Sequence, residues 1–200
     1  MTVQYSTALR NAQGDSWETS IGTSAKVQFW SGSMPANAAA ASTGTKLAEF
    51  ALASDWSAAA ASGAKTLSSL PLATTGLAAG TVGYYRFMDS AGTTCHEQGL
   101  VYQSLPIATS ALTAANGNVL NFTSTTGVST GMSVSGTGVV SGTTVSALTS
   151  TTVTMSNTST AGVANATTIT FGGDITVDNA SIAVSQAVNI TAYTKTWPGA

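Results

Sequence analysis

The sequence predicts a mainly β protein: a β-sandwich-like domain with one N-terminal helix, carrying an inserted small β-barrel or sandwich module. Three observations predict it. Only 7% of residues are charged, against about 25% in an average globular domain, while the apolar fraction stays near normal at 43%. Ser and Thr stand in for the missing charge and make up about 30% of the chain, far above their usual share. Between Glu97 and Asp174 there is no Asp, Glu, Lys, Arg or His, and short runs alternate Thr or Ser with Val, Ile, Met or Phe. Period-two runs rich in β-branched residues suit half-buried strands, and a net charge of −2 argues against disorder.

Residues 6–21 read as the one helix. Ser6 or Thr7 caps its start, Gly22 takes the left-handed position after its end, and Tyr5, Leu9, Ala12, Trp17 and Ile21 approximate an apolar packing stripe. Gly14 weakens this helix by about 1 kcal/mol relative to alanine. Residues 25–31 then alternate as a strand with Val27 and Phe29 on one face. Residues 46–52 form another, in which Leu47, Glu49, Phe50 and Leu52 require either a bulge or a two-sided strand. Ala58 to Ala61 is a helical turn or a loop. Residues 83–89 and 93–102 flank Ser90-Ala91-Gly92 as a hairpin, and 173–178 and 186–193 complete about six strands.

The charge-free stretch has its own strand pattern. Residues 118–123, 131–135, 143–148, 151–155 and 167–171 alternate, and Gly127, Gly136, Gly138, Gly142 and Gly162 punctuate them at turn spacing. Val145, Leu148, Val153 and Met155 are expected to face a small core while the threonines face water. Ionisable residues vanish at its start and return at its end. The expected organisation is therefore a discontinuous domain, residues 1–104 and 173–200, with residues 105–172 inserted between strands 93–102 and 173–178, which become sheet neighbours.

Few side chains suit chemistry. In Cys95-His96-Glu97, strand alternation sends His96 away from its neighbours; a buried Cys with solvated His and Glu is expected. One Cys and one His exclude zinc-ligand spacing and a disulfide framework. Asp55, Asp89, Asp174 and Asp178 lack the spacing of a calcium loop. The glycines around Gly136-Thr-Gly138 lack the lysine and helix of a phosphate loop. No catalytic residue, metal or cofactor is expected. Scattered basic residues argue against nucleic acid, and no run has the length of a membrane span. The N-terminus shows neither basic nor apolar regions of a secretory signal. The recognition candidates are aromatic: Trp30 and Trp56 for a surface ligand such as a glycan, and Tyr5, Leu9, Trp17, Ile21 and Trp197 for an interface or anchor.

The opening Thr2-Val-Gln-Tyr-Ser-Thr-Ala-Leu-Arg-Asn-Ala-Gln13, Ile21-Gly-Thr-Ser-Ala-Lys26, Asp89-Ser-Ala-Gly-Thr-Thr-Cys-His96 and Gly172-Gly-Asp-Ile-Thr-Val-Asp-Asn179 occur in an order that resembles a family of small virion structural proteins of tailed bacteriophages. The resemblance covers residues 1–103 and 172–197. In that family a Leu-Asp-Ala-Ile-Glu-Thr-like helix continues after Gln13, where this chain has Gly14-Asp-Ser-Trp17. Residues 127–171, with Gly131-Met-Ser-Val-Ser-Gly136 and Ser141-Gly-Thr-Thr144, are similar to β-modules repeated in phage and bacterial surface proteins. The resemblance implies a virion component and supplies no catalytic residue. Together with the charge-poor composition, the single cysteine and the missing signal, the expectation is a protein that is not an enzyme, assembled in the host cytoplasm and exposed on the particle exterior, with capsid decoration or cement as its role; the alternative is a tail-associated or fibre component that adheres to host surface glycans. The implied partners are the capsid or tail proteins of the same virion and further copies of the chain.

Overall fold

The computed structural model describes residues 4–103, 105–140 and 142–197. Met1 to Val3 of the opening segment, Ser104 at the expected domain boundary, Ser141 of the Ser141-Gly-Thr-Thr144 motif and Pro198 to Ala200 lie outside the described residues. The chain divides into two compact units, Met1–Val101 with Asp174–Ala200, and Tyr102–Gly173.

In the first unit, helix α1 spans Thr7–Ile21. Ser6 is extended and its hydroxyl accepts a hydrogen bond from Leu9 N at 3.2 Å, while Gly22, at φ +90°, donates its N–H to Glu18 O at 2.9 Å. Nine strands follow: β1 (Lys26–Ser31), β2 (Lys46–Ala51), β3 (Ala64–Thr66), β4 (Leu72–Thr75), β5 (Gly80–Met88) and β6 (Cys95–Gln103), then, after the second unit's β7 to β12, β13 (Ile175–Val177), β14 (Ser181–Ile182) and β15 (Ala187–Thr196). They form one sheet in the order β2-β1-β5-β6-β13-β15-β3, with β14 added to β5 and β4 to β15; β1 with β2 and β5, β5 with β6 and β14, and β15 with β13, β3 and β4 pair antiparallel. The sheet curls until the β4 end returns to β2: Leu77 N donates to Leu47 O and Thr74 Oγ1 to Glu49 O, both at 2.8 Å. Inside lie Phe29, Leu47, Phe50, Trp56, Phe87, Ile175 and Ile190, a sandwich-like core.

Six of the nine strands carry the expected runs; β3, β4 and β14 do not. These are two to four residues long, with sequences such as Ala-Lys-Thr and Leu-Ala-Thr-Thr, and pairing partners rather than local pattern define them. Gln28 is buried along with Val27 and Phe29, so β1 is covered on both faces. The alternative left open for residues 46–52 resolves to a bulge, because Phe29 pairs with Ala48 but Trp30 with Lys46, which leaves Leu47 as the extra residue. A second bulge lies at Gly83, between pairs Trp30–Tyr84 and Ser31–Val82.

Only the C-terminal part of the apolar stripe expected on α1, Trp17 and Ile21, lies on its packing face. Tyr5 and Leu9 are 42% and 46% exposed, and Ala12 is exposed as well. The inward residues are Asn11, Gly14, Trp17, Glu18 and Ile21, and much of their docking is polar. Asn11 Oδ1 accepts from Gly63 N at 2.8 Å, Asp15 Oδ1 from Ala60 N at 3.1 Å, and the buried Lys65 donates to Asp15 at 3.0 Å and Glu18 at 2.5 Å. Burial alone would lower the Lys65 pKa; the bonds to Glu18 and Asp15 outweigh it and hold the ammonium above its usual range. Gly14 has a positive reason to be glycine: a Cβ there would sit 3.0 Å from Ala60 Cβ and from the Trp197 ring.

In the second unit β7 (Leu105–Ala108), β8 (Val119–Asn121), β9 (Ser133–Ser135), β10 (Val145–Leu148), β11 (Thr152–Met155) and β12 (Thr168–Gly172) form two three-stranded antiparallel sheets, β10-β11-β8 and β7-β12-β9. Leu120, Phe122, Met132, Val134, Val153, Met155, Ile169 and Phe171 make a separate core. Strand β7 carries Pro106 on a sheet edge, where a missing N–H costs nothing, and escapes the sequence pattern for that reason. The pairing slips at Ser146 and sets Leu148 opposite the buried Val153, on the core side as expected, but as the last residue of the edge strand β10 it stays 37% exposed. Several threonines also depart from expectation. Thr109, Thr113, Thr125 and Thr143 are buried, and their hydroxyls donate to the carbonyls of Ala164, Val119, Thr149 and Val140 at 2.5–2.7 Å. Hydroxyls thus satisfy the backbone of a unit with no ionised side chain to do so.

Separate cores and neighbouring β6 and β13 give an expectation for the isolated unit. Replacing residues 102–173 by a short Gly-Ser turn leaves a first unit that melts cooperatively by circular dichroism. A chain that shows no cooperative transition after this replacement would contradict the separation.

Candidate functional site

The most concentrated polar site lies in the first unit, and it forms around a glutamate that the sequence pattern places in solvent. Tyr85 pairs with Gly99 and Phe87 with Glu97 across β5 and β6, so Tyr85 and Glu97 are diagonal neighbours on one face. The next pair is Met88 with Cys95, which makes His96 the extra residue of a bulge; simple alternation through Cys95-His96-Glu97 fails there. His96 is exposed, Cys95 is half-buried with its thiol donating to Glu97 O at 3.1 Å, and the Glu97 side chain is only 11% exposed.

Four donors converge on the Glu97 carboxylate. Oε1 accepts from Tyr85 OH at 2.7 Å and Tyr193 OH at 2.9 Å; Oε2 accepts from Trp17 Nε1 at 2.8 Å and from Lys195 Nζ. Gly99 makes room for this, since a Cβ there would lie 2.6 Å from the Tyr85 ring and 2.5 Å from Asp174 Oδ2. Asp174 in turn accepts from Leu100 N at 3.1 Å. Trp17 stands at the centre of an aromatic cluster with Trp56, Phe87, Tyr193 and Trp197 at centroid distances of 5.1, 5.6, 6.2 and 6.0 Å, and Lys195 Nζ lies 5.6 Å over its ring. The arrangement ties α1, β5, β6 and β15 together. A carboxylate offers about four lone-pair sites and all are taken, so Glu97 is held as a fixed acceptor.

Burial, followed by the neighbouring Tyr193 and the Glu97 charge, pushes the Tyr85 phenol far above its ordinary range; burial and the Glu97 charge do the same to Tyr193. A phenol whose folded pKa exceeds its unfolded value stabilises the fold fully below the unfolded value, about 10, and loses that contribution as pH rises from there through the folded value. The expected result of an ultraviolet alkaline titration is that Tyr85 and Tyr193 yield no tyrosinate until the unit unfolds. Stepwise ionisation of either phenol in the folded chain would contradict it.

The anchor and recognition candidates separate on this framework. Ile21 is 4% exposed and lies in the core of its own unit, and Trp17, half-buried, packs against that core. Trp197 is half-buried against Gly14 and Trp17 of the same chain. Trp56 is 2% exposed, with Nε1 donating to Gly22 O at 2.9 Å; it is a core residue closing the end of α1 and presents no surface to a ligand. Tyr5 and Leu9 remain outward, and Leu9, Ala12, Ser16, Trp17 and His96 border a shallow groove of ≈ 530 Å³. Trp30 is half-buried and borders a second cleft of ≈ 570 Å³ with Gln28, the loop 38–42, Lys46, Arg86 and residues 92–95.

Arg86 builds one wall of that cleft. It is 3% exposed, and its guanidinium donates to Ser42 Oγ at 2.7 Å, Ala38 O at 2.5 Å and Ala40 O at 2.9 Å, pinning the loop. Among the described residues Arg86 makes no salt bridge, and its Nε has no partner. The four aspartates considered for calcium stay apart. Asp89 accepts from Thr93 within its hairpin, Asp178 from Asn179 and Asn189, and Asp174 from Leu100. No group of three or more metal-ligating side chains occurs among the described residues, nor does any helix long and apolar enough to cross a membrane. Comparison with protein-family models, curated proteins and solved structures gives no match for this chain.

Proposed function

We propose that this chain is a structural component of a tailed-phage virion, decorating or cementing the outside of the capsid, with the first unit docking and the second displayed outward. The observation that carries the reading is a compact unit of about seventy residues that folds around its own core without one ionised side chain. A surface of hydroxyls packs densely beside copies of itself, where like charges would repel. The outward face of α1, with Tyr5, Leu9 and Ala12, suits contact with a shell protein or a second copy. The saturated Glu97 carboxylate supports a role without acid–base turnover. Quantitative mass spectrometry of purified virions tests this: hundreds of copies per particle are expected, and absence from the particle would overturn it.

A second reading, a tail-associated or fibre component that holds a host surface glycan, draws support from one feature, the Trp30 cleft. A few to a few dozen copies per particle would favour it.

A further inference from the structure

We propose that the cleft beside Trp30 binds a carboxylated saccharide, one sugar face stacked on the indole and the carboxylate drawn to Lys46. The inference deepens the glycan-holding reading by naming the site and the ligand class, and it rests on that reading.

Charge distribution is the first argument. The chain has six basic residues and a net charge of −2, yet Lys26, Lys46 and Arg86 gather around this one cleft. Lys46 and Arg86 line it, and a Cβ on the lining Gly92 would lie 3.5 Å from Lys26 Nζ. One carboxylate, Glu49, answers the two lysines, at 3.5 Å from Lys26 and 2.7 Å from Lys46. Burial opposes ionisation of Glu49, but the bonds from Lys46 and Gln28 outweigh it and hold its carboxyl below the usual range. Arg86 is left without a counter-charge among the described residues. Asp89 accepts from Thr93 of the lining, so Lys26, Lys46 and Arg86 stand against Glu49 and Asp89, a local excess of one positive charge that suits an anion.

Preorganisation is the second. Trp30 Nε1 donates to Gln28 Oε1 at 3.2 Å, and Gln28 Nε2 donates to Glu49 Oε2 at 2.9 Å, so the indole is fixed at its polar edge. What it offers to a ligand is its face, the surface on which the C–H side of a sugar ring stacks. The opposite wall, residues 38–42, is held by the three Arg86 bonds rather than left to move. The volume, ≈ 570 Å³, is that of a small-ligand site. Lys46 keeps 35% of its side chain exposed and has N–H bonds to spare beyond Glu49.

Calorimetric titration of the purified full chain with oligogalacturonate and with the matching neutral oligogalactoside tests the proposal. The acidic oligomer binds, more weakly at higher salt, and the neutral one binds at least roughly tenfold less tightly. Trp30→Ala abolishes the binding, Trp30→Phe restores part of it, and Lys46→Gln, which keeps an N–H donor for Glu49, weakens it roughly tenfold while the chain still melts cooperatively. Equal affinity for the two oligomers, full binding by Trp30→Ala, or no heat with either oligomer would overturn the proposal. A single-stranded oligonucleotide that binds while the saccharide does not would overturn it too. None of these outcomes depends on where on a particle the chain resides, so the virion copy number remains a separate test of the broader reading.

Discussion

Glu97→Ala destabilises the first unit by about 3–4 kcal/mol, the range for removing one partner of a buried ion pair. Four donors lose their acceptor at once: two phenols that burial keeps protonated, the Trp17 indole and the Lys195 ammonium. Lys195 is 32% exposed and recovers some hydration, so it is the smaller part of the loss. Tyr85, 2% exposed, and Tyr193, 3% exposed, have no such recourse. Glu97→Gln keeps an acceptor oxygen and costs less than the alanine variant. Lys195→Met costs less than either, because three neutral donors still hold the carboxylate. Urea unfolding followed by tryptophan fluorescence reads all three; a loss below about 1 kcal/mol in Glu97→Ala would show that the carboxylate is not the tie between helix and sheet.

Gly83→Ala is the second large effect, about 3 kcal/mol, near the upper end for forcing extra volume into a packed site. Gly83 is the extra residue of the β5 bulge, and a Cβ there would overlap the carbonyl oxygen of Gly32 across the ladder. The obstacle is backbone, so no rotamer change relieves it. The β1–β5 pairing lies inside the sheet, with β2 beyond one strand and β6 beyond the other, and the bulge sets where Trp30 and Tyr84 face each other. Loss of stability in Gly83→Ala should therefore come with a changed Trp30 environment in fluorescence. An unaltered melting temperature would contradict the bulge geometry.

Much of the architecture was legible because strand period and helix caps are local signals. Ser6 and Gly22 bracket α1 as their residue types require, and all five short runs of the charge-free stretch form strands. The parts that were not legible depend on partners distant in sequence. Strands β3 and β4 exist because β15 runs beside them, and no alternation within Ala64–Thr66 or Leu72–Thr75 announces it. The helix face is legible only in part: Trp17 and Ile21 dock as their apolar side chains suggest, while Tyr5, Leu9 and Ala12 face outward and Asn11, Asp15 and Glu18 complete the docking against backbone and Lys65. Glu97 is expected in water because a charged side chain is seldom buried, and nothing local announces the two phenols, the indole and the ammonium that β5, β15 and α1 bring to it. The one sequence signal for the site was indirect: a charge-poor chain keeps a Glu on an inner strand and a Lys near its end, with Tyr and Trp between the elements that bring them together. Trp30 and Trp56 were alike in sequence, and only tertiary packing separates the cleft residue from the core residue.

Electron cryo-microscopy of virions carrying a small tag in an exposed loop of the second unit, for instance beside Thr137, tests the decoration reading most directly. Regular tag density at repeating positions over the capsid surface is the expected image. Tag density confined to the tail, or none on the particle, would contradict it.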